Sequence, residues 1–445
     1  MRGVSFSAHM RRTRTILLAA LGALLAVRLA VAVFTPVFDP SEARYAAISA
    51  NMARSGDFLV PRFTYEGVYR SFDGKPPLLF QAGGVFCRVF GVNEFAVRLF
   101  PILSALLLLA ILHHAVRRLG GRTAGGLAVA VCASCVAFYA AGGFCMMDMP
   151  LTCCSSGAVL LHACFAQDRR KVYSLGVFAL LGAGMLVKGP IAVVLFGLPV
   201  GLDAALNRRW DVLRAHAWVQ GPLVFLAIAA PWFVAMQRQN PGFLEYFFVN
   251  ENLLRFLVHD YGDKYGAGRE TFRGMALVWT LVVTMPWSLV PLWKGGRRLL
   301  ERYREGMDRS SSLPAILRGA PALLRGRSVF LLGILSITAF WCLTSRVPLA
   351  YLLPVIPLFA AEFALRADPE TVRRLLPAAS AVCMVALVGT VACTMAFTNK
   401  MPGASARPSK RGHRFSHEFY HGSAATALAY GDKMTLKEAP ACPKN

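Results

Sequence analysis

Residues 95–141, FAVRLFPILSALLLLAILHHAVRRLGGRTAGGLAVAVCASCVAFYAA, decide the fold. Two stretches of about 20 apolar residues, each long enough to cross a bilayer, flank a short connection carrying Arg117, Arg118 and Arg122. A soluble helical hairpin would put polar residues on one face of each helix, and here neither stretch has such a face. The pair reads as two membrane spans joined by a basic cytoplasmic turn.

The same grammar recurs along the chain. Of 445 residues, 56% are apolar and 16% charged, and mean hydropathy is +0.49. That is far from the balance of a soluble domain. Apolar windows near 15–37, 95–115, 123–141, 149–166, 172–187, 189–206, 218–236, 274–293, 328–344, 347–365 and 375–398 predict an all-α polytopic membrane protein with about eleven transmembrane helices. Segment 15–37 follows a basic start but is longer than the apolar core of a cleaved signal.

Net charge is +24, which in a soluble protein would suggest nucleic acid. Here the basic residues cluster between spans, so no nucleic-acid partner is expected. With the N-terminus inside, Arg11/Arg12/Arg14, Arg117/Arg118/Arg122, Arg169/Arg170/Lys171, Arg208/Arg209/Arg214, the Arg- and Ser-rich loop 294–327 and Arg366/Arg373/Arg374 are all cytoplasmic. Loop 294–327 reads as a solvated linker. The outer face then comprises loops 38–94, 142–148 and 237–273. A multi-span domain 1–398 is followed by a polar tail, 399–445, whose Lys400, Lys410, Arg411 and Arg414 run against the charge rule. The eleven cysteines lie mostly inside apolar runs, and neither a disulfide framework nor a zinc site is expected. Cys132 and Cys135, a C-x-x-C in VAVCASCVAFYA, read as small packing residues.

Chemistry is expected on the outer face, where most acids lie away from the inner arginine clusters. Asp39, Glu42, Arg44 and Tyr45 stand at the outer end of the first span, and Asp148 at the outer end of the third. Carboxylates there suit binding sugar hydroxyls or accepting a proton, and solvated loop acids would look the same. The stretch ARYAAISANMARSGDFLVPRF predicts a short amphipathic helix on the membrane surface. In FDGKPPLLF, Pro76 and Pro77 stiffen the backbone behind Lys75. That lysine is placed either to meet a phosphate as a point charge or to snorkel to lipid headgroups. Lys188-Gly189-Pro190 reads as a tight turn with a headgroup-anchoring lysine. Ser345, Arg346, Pro348, Tyr351, Pro354 and Pro357 suggest a groove wall, because prolines in a span are tolerated mainly beside a cavity. Arg255 and His259 would share a helix face, and His113-His114 is given no role.

In this order, S-E-A-R-Y, G-K-P-P-L, M-D-M-P-L-T, V-K-G-P, L-L-R-F, M-P-W and S-R-V-P-L-A-Y-L-L-P resemble the bacterial branch of the dolichyl-phosphate-mannose protein mannosyltransferases, and most of all the 4-amino-4-deoxy-L-arabinose lipid A transferases. The resemblance spans about residues 36–360. It implies a GT-C glycosyltransferase fold and a polyprenyl-phosphate sugar donor; no cofactor is expected, outer-face carboxylates could hold a divalent ion, and no ligand cluster in the sequence argues for one. The acceptor would be lipid A-like, another glycan or a protein. It also implies that Lys75, Arg255 and Tyr351 contact the carrier phosphate, with Arg44, Tyr45 and Arg346 beside the substrate. Glu42 or Asp39, with Asp148, would face the reacting sugar, at the outer (periplasmic) face of a bacterial cytoplasmic (inner) membrane, among membrane lipids. Two positions depart from the family pattern: Ser41 stands where an aspartate is usual, and Gly74 where an acid precedes Lys-Pro. A phosphate monoester acceptor, with a second pKa of about 6, would tolerate the first. The competing readings are a lipid or sugar transporter, which would carry polar groups at mid-membrane, and a non-catalytic member of the fold. Span centres here are mostly apolar, Arg28 being an exception.

Overall fold

The computed structural model describes residues 2–37, 40–65, 68–254, 271–304 and 328–399. Its elements are helices α1 (Arg2–Phe34) and α2 (Pro40–Ser55), strands β1 (Arg62–Tyr65) and β2 (Val68–Ser71), then α3 (Leu78–Phe90), α4 (Glu94–Ala133), α5 (Val136–Ala141), α6 (Asp148–Asp168), α7 (Lys171–Lys188), α8 (Ile191–Leu206), α9 (Trp210–Arg214) and α10 (Gln220–Gln239). A π-helical stretch, Tyr246–Leu254, precedes α11 (Met275–Val283), α12 (Leu289–Arg304), α13 (Val329–Cys342), a 3-10 turn (Leu349–Leu352), α14 (Val355–Arg366) and α15 (Pro369–Asn399).

Five of these helices, Glu94–Ala133, Asp148–Asp168, Lys171–Lys188, Gln220–Gln239 and the Pro369–Gly389 part of α15, are long and apolar enough to cross a bilayer, and Leu18–Phe34, Leu78–Phe90, Ile191–Leu206 and Val329–Cys342 are shorter apolar helices. The tail 399–445 expected from residue 399 onward lies, from 400, outside the described residues.

Helix α6 is the axis of the bundle. Of its apolar window 89% is buried, against 28–50% for the other long helices, and α4, α7, α8 and α14 pack around it. Small side chains make this possible: Cys153, Cys154, Ser155, Ser156 and Gly157 let neighbouring backbones approach. A Cβ on Gly184 of α7 would sit 3.0 Å from the Cβ of Cys154. The Ser156 hydroxyl donates to Pro354 O (2.7 Å), tying α6 to the entry of α14.

Helix α4 joins two expected spans, 95–115 and 123–141. Asn93 caps its start, accepting from Ala96 N at 2.9 Å. Gly121 breaks it at φ +86°, a backbone conformation that a side chain resists.

The first outer loop holds more structure than one amphipathic helix. The helix expected there is α2, and it packs against α3: a Cβ on Gly83 would approach Ser49 Oγ to 2.6 Å. The buried residues of α3, Leu79, Phe80, Gly83, Gly84 and Cys87, follow helical spacing, leaving Val85, Val89 and Phe90 exposed. The loop also contains an antiparallel hairpin, Arg62 facing Ser71 and Tyr65 facing Val68, so the fold is helical but not purely so.

Residues 274–293 do not form one straight span. Pro286 lacks the N–H a continuous helix needs, and the chain turns over Thr284–Ser288 between α11 and α12. Helix α12 then runs to Arg304, through the first part of the stretch expected to be a solvated linker.

Candidate functional site

The helix ends at one end of the bundle carry two lysine–carboxylate pairs. Asp148 opens α6 and Lys188 closes α7. A carboxylate at a helix N-terminus and an ammonium at a C-terminus each complement the helix dipole. Lys188 Nζ donates to Asp148 Oδ1 at 2.7 Å, with side chains 16% and 9% exposed. The same ammonium sits 4.4 Å from the centre of the Tyr351 ring, close enough for cation–π attraction. Lys188 therefore points inward, onto an acid and an aromatic face, and not to lipid headgroups as its turn suggested. An inward ammonium is favoured because burial of the carboxylate and the lysine together is far cheaper than burial of either alone.

The turn after Lys188 has a backbone that only glycine adopts readily. Gly189 has φ +84° and ψ −152°, and a Cβ there would lie 2.7 Å from the Phe247 ring. The π-helical stretch thus packs directly on the α7–α8 turn, and it carries the second pair: Lys75 Nζ donates to Glu251 Oε1 at 2.5 Å, 20% and 6% exposed. Lys75 follows the hairpin, where Ser71 Oγ donates to Asp73 Oδ2 at 3.2 Å while Asp73 Oδ1 is buried with no hydrogen-bond partner among the described residues.

Tyr351 stands in the 3-10 turn against Trp341, ring centres 4.6 Å apart. Its segment is clamped from α11 and the residues before it: Thr271 N and Oγ1 both donate to Ser345 O (2.6 and 3.0 Å), and Trp279 Nε1 donates to Val347 O (3.0 Å). Arg346, half-buried, lies between these two anchors. Tyr45 of α2 is packed against Phe72 and Phe80. Burial pushes its phenol up to about 12, with Asp148 and Tyr351 adding to the rise and Arg44 and Lys188 opposing it. At neutral pH it is an un-ionised hydrogen-bond donor. Arg44 lies over the Phe72 ring at 5.9 Å.

Glu42 occupies a different environment. It is 0% exposed and gripped by Arg98, which is 1% exposed: Nε to Oε1 at 2.9 Å and Nη2 to Oε2 at 3.2 Å. Cys145 N also donates to Oε1, at 2.9 Å. The Arg98 guanidinium donates further to Ala32 O, Thr35 O and Pro36 O (3.2, 2.7 and 3.0 Å), the end of α1 whose last carbonyls have no helical partner. The pair is a clasp joining α1, α2, α4 and the loop before Asp148. Arg28 lies near it, 4.9 Å above the Phe144 ring, and its buried guanidinium nitrogens have no hydrogen-bond partner among the described residues.

Of the sequence candidates, Asp148, Lys75, Tyr351, Tyr45, Arg44 and Arg346 lie on segments that meet at this end of the bundle. Asp39 and Arg255, with His259, lie outside the described residues. Sequence reasoning missed Lys188 and Glu251 as partners and Arg98 altogether. A signal existed for Arg98, an arginine four residues into a long apolar helix. No group of three or more His, Cys, Asp or Glu side chains placed to hold a metal occurs among the described residues.

Residues 74–234 match the dolichyl-phosphate-mannose-protein mannosyltransferase family. The undecaprenyl phosphate-alpha-4-amino-4-deoxy-L-arabinose arabinosyl transferase of Erwinia tasmaniensis is 28% identical over 285 residues, 62% of this chain and 48% of that protein. Its namesake in Aeromonas salmonicida is 31% identical over 232 residues, 50% and 40%. The chain thus spans about half the length of the curated relatives it matches. The crystal structure of ArnT from Cupriavidus metallidurans bound to undecaprenyl phosphate superposes with a TM-score of 0.63 at 22% identity, over 87% of this chain and 66% of that one. The apo oligosaccharyltransferase of Archaeoglobus fulgidus gives 0.50 at 13% identity, over 88% and 58%. The resemblance carried by the motifs is borne out, and the chain has the GT-C membrane fold.

Proposed function

We propose, starting from a GT-C membrane protein whose residues 74–234 match the dolichyl-phosphate-mannose-protein mannosyltransferase family, that the chain moves a sugar from a polyprenyl-phosphate carrier to a lipid A-like or other acceptor at the outer face of a bacterial inner membrane. The observation that carries this reading is the meeting of Lys75–Glu251 and Lys188–Asp148–Tyr351. Two ammonium groups at the end of an apolar bundle fit a lipid-borne phosphate better than they fit a neutral solute. In a transporter the polar site would sit at mid-membrane.

In this scheme Lys75, with Tyr351, Arg346 and Arg255, holds the carrier phosphate, and Glu251 keeps Lys75 aimed until the donor arrives. Positive charge fixed beside the phosphate stabilises it as the leaving group. Asp148, held by Lys188, orients the sugar and acceptor, and Tyr45 and Arg44 supply donors alongside. In-line attack at the anomeric carbon breaks its bond to the phosphate oxygen and inverts its configuration.

Glu42, closed off by Arg98 and Cys145, acts by positioning Asp148's loop, and not as a base. With Ser41 beside it, the site favours an acceptor that arrives ionised, such as a phosphate monoester. The same two residues favour the rival reading of a non-catalytic relative.

Sugar transfer by the purified protein decides between them, using a panel of polyprenyl-phosphate sugars with lipid A as acceptor. Turnover is expected with at least one donor, falling by about a hundredfold or more in Lys75→Ala and in Asp148→Asn. Absence of turnover with every donor, or full activity in both folded variants, sinks the proposal.

A further inference from the structure

Helix α12 takes no part in the site, and it combines large apolar side chains with basic ones. Leu289, Leu292 and Trp293, three and four residues apart, are 52%, 51% and 62% exposed. Lys294, Arg297 and Glu301 lie to the side of the arc they form, and the sequence of the helix holds five basic residues, Lys294, Arg297, Arg298, Arg302 and Arg304, against Glu301 as its one acid. Arg297 lies 5.2 Å above the Trp293 ring and 3.8 Å from Glu301.

The position of the helix follows from the chain. Helix α11 starts at Met275, next to Thr271 and its bonds to Ser345 at the site end. Beyond the turn at Thr284–Ser288 the chain enters α12, whose basic end opens the Arg-rich stretch 294–327. That stretch is one of the basic clusters that the charge pattern assigns to the cytoplasmic side, which puts Trp293 beside that membrane boundary.

A helix wholly in water would hydrate three large apolar side chains, and a helix wholly in lipid would bury a row of cations. Only the boundary between them suits both kinds of side chain. We infer that α12 lies in the cytoplasmic leaflet's headgroup layer as a binding surface for anionic phospholipids. The excess of basic over acidic residues selects anionic over zwitterionic headgroups, and the Trp293–Arg297 stack sits at the depth where indole rings anchor.

The test uses the full chain in nanodiscs containing a photoreactive headgroup analogue of either phosphatidylglycerol or phosphatidylcholine, with adducts mapped by peptide mass spectrometry. The phosphatidylglycerol probe is expected to label 289–304 roughly fivefold or more over the phosphatidylcholine probe. Raising salt to about 1 M should shrink that ratio in the wild-type protein, where the screening length falls to about 3 Å. Combining Lys294→Gln, Arg297→Gln and Arg298→Gln should bring the ratio near one while the segment around Arg208, Arg209 and Arg214 keeps its preference. Equal labelling by both probes in the wild-type protein overturns the inference. So does absence of labelling by either, which would mean that protein and not lipid covers the helix.

Discussion

Arg98 and Glu42 show how a charge pair can be worth more for shape than for chemistry. Both are essentially inaccessible, and Arg98 also satisfies three carbonyls at the end of α1. Removing the acid would leave a guanidinium buried without its counter-charge, which costs about 3–5 kcal/mol. Glu42→Ala is therefore expected to lower the thermal midpoint in detergent sharply. Glu42→Gln, which can still accept hydrogen bonds, should retain more of both folding and transfer. A Gln variant that folds as wild type yet is inactive would restore Glu42 as a candidate base. Arg98 illustrates what a linear reading overlooks: an arginine near a span boundary looks like an interfacial anchor, and only the packing of α1 and α2 over it makes it a buried hub.

At the scale of the element, two junctions carry consequences. The α7–α8 turn sets the height of Lys188, and Gly189 allows it by adopting φ +84° with Phe247 against its Cα. Gly189→Ala is expected to destabilise by about 1–3 kcal/mol from backbone strain alone, and to reduce transfer by displacing Lys188. Gly197→Ala, a helical glycine with nothing near its Cβ position, serves as the control and should be nearly silent. The second junction lies between α9 and α10, where His216 Nδ1 pairs with Ser174 Oγ (2.8 Å) and Nε2 with His162 (3.0 Å). Burial, helped by Arg169, lowers the His216 imidazole from its usual 6.5 to about 4. The folded state then binds fewer protons than the unfolded one, so this contribution is complete above 6.5 and is lost progressively as pH falls toward about 4. Hydrogen exchange at 214–220 should accelerate over that window, and the change should shrink in His216→Gln, where His162 is left as the remaining buried imidazole of the pair. The K-G-P motif announced the first junction's turn, but its lysine's inward direction depended on Asp148, forty residues earlier.

For the molecule as a whole, the sidedness of the site is the property most open to test. Ser55 and Arg122 are both exposed, and they belong to the first outer loop and to the first inner turn of the expected topology. Ser55→Cys should gain labelling by an impermeant maleimide from outside intact spheroplasts, and Arg122→Cys only after the membrane is opened. The reverse pattern would place the lysine pairs in the cytoplasm and remove the carrier-sugar proposal with them.

Composition and the spacing of basic clusters were enough to establish a polytopic helical membrane protein, because burying a backbone in lipid leaves few options besides apolar helices. Ordered motifs were enough to suggest the GT-C fold and to bring forward Lys75, Asp148 and Tyr351. The tertiary structure alone decided which charges face one another: Lys75 with Glu251 across 176 positions, Lys188 with Asp148 across 40, and Glu42 with Arg98 across 56. It also decided that residues 289–304 form an amphipathic helix, where hydropathy suggested a span ending in a linker. The reason is physical. Apolar length is a local property that adds along the chain, whereas the partner of a buried charge is set by which helix ends packing brings together.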